Sequence, residues 1–242
     1  MAQRIVLFKH LLLAICFFLI SYPLLIDEGL GGKFIEAAFG TAILRAGIRA
    51  TRKNHPTPRW AVVLMILMIS VWTAEILIRD QPLIDLSRLC LLQVFLIRFI
   101  WLVGRDVFVT RRVNATERLL GAICVYLLIG LSFSDLYLII DRLIPQAFVC
   151  SESLCPNPGA QIFREGLHIY FSLVVMTTIG FGDITPAKPM VAMIVGLEAV
   201  IGQMFVAIVI SRLVAIHLKE NPEDTVERVA PEERLKGPGP KP

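Results

Sequence analysis

Six apolar runs leave this chain few ways to fold. They cover residues 5–26, 34–48, 60–78, 83–103, 119–140 and 190–218. A helix needs about 20 apolar residues to cross the hydrocarbon core of a bilayer. Five of the runs are near that length or beyond it. Run 34–48 is weaker, holds Glu36, Gly40 and Arg45, and reads as a short helix packed on other helices. The fold class expected is an all-α membrane protein of six transmembrane helices. Composition agrees, with 56% apolar and 18% charged residues, against about 45–50% and 25% in soluble domains. An ordinary cytosolic enzyme, a fibrous protein and a disordered chain are all excluded. The net charge of +4 is too small to argue for nucleic acid. Five cysteines without a Cys-x-x-Cys pair and four scattered histidines offer no metal site.

The first run has Arg4 and Lys9 at its start, like a signal peptide. Ser21-Tyr22-Pro23 does not fit a small-x-small cleavage site, so an uncleaved span is expected. With the N-terminus inside, the inner segments carry eleven basic residues, from Arg4 to Arg118. The outer ones carry five: Lys33, Arg79, Arg142, Arg164 and Lys188. That is the positive-inside bias of six spans with both termini cytoplasmic, as in a bacterial inner membrane. Residues 219–242, rich in Pro and charge, read as a short helix extension and a disordered cytoplasmic tail.

Between the last two runs lies a segment of another kind, residues 166–182. Its helical part, about 166–177, rises only ~18 Å and cannot span. It leads into Thr177-Thr178-Ile179-Gly180-Phe181-Gly182-Asp183. This resembles the selectivity filter of potassium channels, usually Thr-Val-Gly-Tyr-Gly-Asp. The order of outer helix, re-entrant helix, filter and inner helix over about 119–218 is also that family's. The resemblance implies a homotetramer, with one filter strand per chain, and passive permeation with no enzymatic step.

The residue chemistry agrees. Dehydrated K⁺ needs oxygen ligands in place of water, and backbone carbonyls can supply them. Successive carbonyls face one way only if the backbone alternates in handedness. Gly180 and Gly182 permit the left-handed conformations. Thr178, Ile179, Gly180, Phe181 and Gly182 are therefore the expected ion-binding segment, with K⁺ held at the carbonyls of Thr178, Ile179, Gly180 and Phe181. Ile179 and Phe181 would pack behind it, and Thr177 and Asp183 would support it. Phe181 lacks the hydroxyl with which Tyr would tie the filter to the re-entrant helix.

In the last run, Gly196 and Gly202 can act as hinges or as close-packing positions. Val206, Ile210, Val214 and Leu218 follow at a four-residue spacing and would line the inner pore, with Gln203 reaching the cavity under the filter. Membrane carboxylates are functional candidates. Glu198, one turn before Gly202, can brace the filter, act as a proton-sensitive latch, or be a packing residue; Asp135 is the second such group. Cys150 and Cys155 lie five residues apart in the outer loop and can meet as an intrachain disulfide or remain free thiols.

Three regions are expected: a voltage-sensor-like front domain over residues 1–110, a pore domain over 111–218 and the tail over 219–242. Arg45, Arg49, Arg52 and Lys53 form an inner basic stripe, open to positive-inside anchoring or to contact with anionic lipids. The alternatives to a K⁺ channel are a weakly selective cation pore, a transporter and a non-conducting scaffold.

Steep voltage gating takes several arginines at three-residue spacing. The fourth run has Arg88, Arg98 and Arg105, and only Arg98 is deep. Three to four charges per subunit make opening steep; here about one could move. Conductance in symmetric K⁺ is expected to change little with voltage, and a steep curve that flattens in Arg98→Gln would reverse this expectation.

Overall fold

The computed structural model describes residues 2–25, 59–77, 81–108, 115–151, 154–155 and 161–220. Among the described residues there are six helices: α1 (Ala2–Leu25), α2 (Arg59–Leu77), α3 (Pro82–Phe108), α4 (Ala115–Leu143), α5 (Gln161–Met176) and α6 (Pro189–Glu220). Two short strands, β1 (Phe148–Cys150) and β2 (Ile184–Pro186), flank α5. The apolar runs at 5–26, 60–78, 83–103, 119–140 and 190–218 each coincide with a helix. Run 34–48, the basic stripe at Arg45, Arg49, Arg52 and Lys53, and residues 221–242 lie outside the described residues.

Among the described residues, three helical stretches are long and apolar enough to cross a membrane: Pro82–Phe108, Thr116–Leu143 and Pro189–Arg212. Backbone groups have no water partner in hydrocarbon, so each helix satisfies its own. Pro82 opens α3, where its missing N–H costs nothing. Asp85 in the first turn and Arg105 in the last complement the helix dipole.

The front bundle is built on α4. α1 and α3 both pack on it, and α2 packs on α3. Phe8, Leu11 and Ile15 of α1 meet Phe95, Phe99, Val103 and Val107 of α3 and Val125 and Leu128 of α4 in one buried cluster. Phe205 and Val209 of α6 close on the same cluster. At one end, Asp85 pairs with Arg88 at 3.2 Å and with Arg142 of α4 at 3.1 Å. Gln93 donates to Ser132 Oγ at 3.0 Å further along the same pair of helices.

A second cluster joins Tyr137 and Ile140 of α4, Ala147, Phe171 of α5, Ile184 of β2 and Val191 of α6. Above it, β1 and β2 pair antiparallel, with Phe148 opposite Pro186, Val149 opposite Thr185 and Cys150 opposite Ile184. The Ser151 N–H donates to the Asp183 carbonyl and the Ala187 N–H to the Ala147 carbonyl, both at 2.8 Å, extending the ladder at each end. The loop before α5 is thus bonded to the strand that follows it.

Cys150 and Cys155 are joined by a disulfide within this loop, and Cys16, Cys90 and Cys124 are free thiols. Alkylation of the unfolded chain without reductant is expected to modify three cysteines, and all five after reduction, as read by intact mass. Five modified cysteines before reduction would contradict the bridge.

Candidate functional site

The site is built where α5 ends. This helix runs from Gln161 to Met176, five residues earlier at its start than the 166–177 stretch expected from sequence. Gly166 lies inside the helix, where a glycine costs only about 1 kcal/mol. At 16 residues the helix rises ~24 Å, still short of a span.

Its last turn is closed by a specific pattern of backbone bonds. The Thr178 N–H donates to the Val175 carbonyl at 2.9 Å, and the Ile179 N–H to the Val174 carbonyl at 3.0 Å. These are the paired bonds of a Schellman cap, which requires a left-handed residue just past the helix. Thr178 fills that position with φ +58°. A β-branched residue there is rare, and the conformation costs roughly 1–2 kcal/mol relative to the right-handed one. Thr177 reinforces the turn by donating its hydroxyl to the Leu173 carbonyl at 2.7 Å.

Beyond the cap, Gly180 has φ +58° and Gly182 φ +77°, while Ile179 and Phe181 keep negative φ. The segment 178–182 therefore alternates in handedness at every residue. The two glycines were legible in the sequence. Thr178 was not, because the usual signal for a cap of this kind is glycine or asparagine.

Side chains fix the segment at both ends. Gln203 of α6 donates to Thr178 Oγ1 at 3.2 Å. At the other end, the Tyr170 hydroxyl of α5 donates to Asp183 Oδ2 at 2.5 Å, and Asp183 Oδ1 accepts the Ile184 N–H at 2.9 Å. The hydrogen bond to Asp183 raises the Tyr170 phenol above its ordinary pKa. The Phe181 ring lies parallel to Tyr170, with 6.4 Å between centroids. The hydroxyl that Phe181 lacks is supplied from the helix side by Tyr170, a residue the sequence reading passed over. Ile179 and Phe181 were expected to pack behind the segment. In the single chain both are more than half exposed, and Phe181 stacks on Tyr170.

The carbonyl of Met176, the last helical residue of α5, accepts the Tyr126 hydroxyl from α4 at 3.1 Å. Gly202 faces the same carbonyl, and a Cβ added there would lie 2.7 Å from its oxygen. This contact gives Gly202 a packing role. Gly196 has open space where a Cβ would be. Val206 and Ile210 are exposed, on the turns where Phe205 and Val209 face the front bundle. The side chains of Val214 and Leu218 lie outside the described residues.

Behind the segment, Glu198 is wholly buried. Its carboxyl group accepts a hydrogen bond from the Tyr137 hydroxyl of α4 and is bonded to Ser172 of α5. Ser172 Oγ is also 2.7 Å from the Gly130 carbonyl oxygen of α4. Asp135 is buried on α4. On α3, Arg98 is exposed and Arg88 is held by Asp85. Among the described residues, no group of three or more His, Cys, Asp or Glu side chains could hold a metal ion.

Residues 165–218, from within α5 nearly to the end of α6, match a family model described as "Ion channel". No curated protein matches the chain. The chain thus combines an ion-channel domain with long apolar helices of membrane-spanning type. The match supports reading residues 165–218 as a domain of ion-channel type.

If the Gly202 contact is as tight as described, Gly202→Ala must displace α6 from the end of α5. Overpacking of this sort costs typically 1–3 kcal/mol. The variant is expected to show a lower unfolding midpoint in detergent; an unchanged midpoint would mean that the contact yields freely.

Proposed function

We propose that the protein is a potassium-selective channel, conducting K⁺ passively through a homotetrameric pore. The observation that carries this reading is the alternation of φ sign along residues 178–182. Alternate left- and right-handed residues turn successive carbonyls toward the same side of the strand. Repeated around a fourfold axis, they form stacked cages of oxygen that replace the hydration shell of the ion. The carbonyls of Thr178, Ile179, Gly180 and Phe181, with the Thr178 hydroxyl, are the ligands. Asp183 at the outer mouth anchors the strand and attracts cations.

Three further features support the reading. α5 is too short to span and ends at the segment, so the negative end of its dipole favours a cation there. Thr177–Gly182 are all exposed in the single chain, as they must be if other copies complete the ring. Large apolar side chains on α6, among them Met193, Leu197, Val200 and Met204, are likewise exposed and available to neighbouring copies and lipid. In this reading residues 111–218 form the pore domain, 1–110 a front domain without an arginine ladder, and 219–242 a cytoplasmic tail. Both termini are cytoplasmic, and conduction depends weakly on voltage. Val206, Ile210, Val214 and Leu218 line the inner pore.

One observation favours a second reading, a weakly selective monovalent cation channel. Phe181 is held to α5 by ring stacking without a hydrogen bond of its own, which leaves the cages easier to deform.

Purified protein in liposomes, with K⁺ and Na⁺ gradients imposed separately, distinguishes the two. K⁺ flux blocked by Ba²⁺, with little Na⁺ flux, is expected. Comparable fluxes of both ions would select the second reading, and no flux would sink both. Gly180→Ala, which forces a Cβ into the left-handed conformation at roughly 1–2 kcal/mol in each subunit, is expected to abolish K⁺ flux or its selectivity. Unaltered K⁺ flux in that variant would remove 178–182 from the ion path.

A further inference from the structure

Three contacts between oxygens surround Glu198. The Tyr137 hydroxyl meets Oε2, the Ser172 hydroxyl meets Oε1, and the same Ser172 hydroxyl meets the Gly130 carbonyl. Each contact needs a proton between its two oxygens, because two lone pairs at hydrogen-bond distance repel. Tyr137 brings one proton and Ser172 brings one. The carbonyl brings none. Three contacts and two protons leave one contact unfilled if Glu198 is a carboxylate.

We infer that Glu198 is a carboxylic acid in this conformation, donating its proton to Ser172 Oγ so that Ser172 can donate to the Gly130 carbonyl. The chain of donors then runs from Glu198 of α6 through Ser172 of α5 to Gly130 of α4, and Tyr137 donates back from α4 to Oε2. All three side chains are buried, Glu198, Ser172 and Tyr137 being each 0% exposed. Among the described residues no cation pairs with Glu198, so nothing beside it compensates a negative charge. A neutral acid costs far less to bury than a lone carboxylate.

Other titratable groups do not supply the missing proton. From α4, the phenols of Tyr137 and Tyr126 face Glu198. Tyr137 is already counted, and Tyr126 donates to the Met176 carbonyl. From α5 comes only the Ser172 hydroxyl. Along the same helices Asp135, His168 and Tyr170 are the next titratable groups, and each has partners of its own. α6 places no charged side chain within a turn of Glu198.

Ser172 is one helical turn before Met176, so the proton sets how α5 is held between α4 and α6, and through α5 the segment 178–182. Glu198 is a positioning residue in this scheme. Loss of its proton leaves Ser172 to choose between two acceptors, and the bond to Gly130 fails. This rests on the channel reading only where conduction is concerned; the proton count does not.

The test is infrared difference spectroscopy of the full-length protein in lipid, comparing the unmodified chain with Glu198→Gln at neutral pH. A carboxylic-acid C=O band that is present in the former and missing in the latter is expected. It should shift in Ser172→Ala, which removes its acceptor, and vanish at alkaline pH. Glutamine can donate to Ser172 and accept from Tyr137, so Glu198→Gln should fold, conduct K⁺ like the unmodified chain and lose any alkaline decline in flux. Absence of a difference band at neutral pH would overturn the inference. So would failure of Glu198→Gln to fold while the unmodified chain does. Protein that shows the band but passes no K⁺ would fail the channel reading and leave the proton on Glu198.

Discussion

The end of α5 is the point on which the surrounding structure depends. A helix that stops leaves its last carbonyls without intrahelical partners, and each needs a donor from elsewhere. Here the cap of Thr178 and Ile179 takes two of them, the Val175 and Val174 carbonyls. The Leu173 carbonyl accepts both the N–H and the hydroxyl of Thr177, and Tyr126 reaches across from α4 to that of Met176. Gly202 lets α6 approach the same carbonyl closely. The left-handed turn that closes the helix is also the first step of the alternating segment, so satisfying the helix end and shaping the segment are one act. Conformational strain at Thr178 is tolerated because bonds on both sides of it overdetermine the geometry.

Most of the architecture was legible as hydropathy, because a membrane selects for length and apolar character more strongly than any soluble core does. Five runs coincide with helices to within a few residues. The alternating segment was legible too, through Gly180 and Gly182. What escaped were partners separated by long stretches of chain. Nothing in the local pattern around Tyr170 points to Asp183 or Phe181, and nothing around Tyr126 points to Met176. Ser172, a small polar residue on a short helix, carries no local sign of its partners on α4 and α6. Glu198 stood out as a charge in an apolar run, but its role depends on two oxygens from other helices, which sequence spacing cannot pair. The start of α5, at Gln161, lies five residues before the expected 166, because residues 161–165 belong to no apolar run.

The front bundle and the channel domain share more than a boundary. Arg212, near the end of α6, donates to the Phe108 carbonyl at 2.6 Å and lies 5.5 Å from the centre of its ring. That carbonyl is at the C-terminus of α3, where a cation is favoured by the dipole. Phe108 meets Phe205 edge-on, and Phe205 meets Tyr126, whose hydroxyl ends on α5. A continuous line of contacts runs from the last turn of α3 to the base of the alternating segment. Asp85 holds Arg88 and also pairs with Arg142, so this carboxylate of α3 docks α3 against α4.

The pairing of β1 with β2 bears on how such a protein comes together. The ladder closes a loop that contains all of α5 and the alternating segment, and every bond in it is made within one chain. The entropy of closing that loop is therefore spent during folding of the monomer. A loop ordered in this way fixes the course of the alternating segment within the chain itself. A chain lacking the ladder would have to hold that course by side-chain contacts such as that of Tyr170 with Asp183.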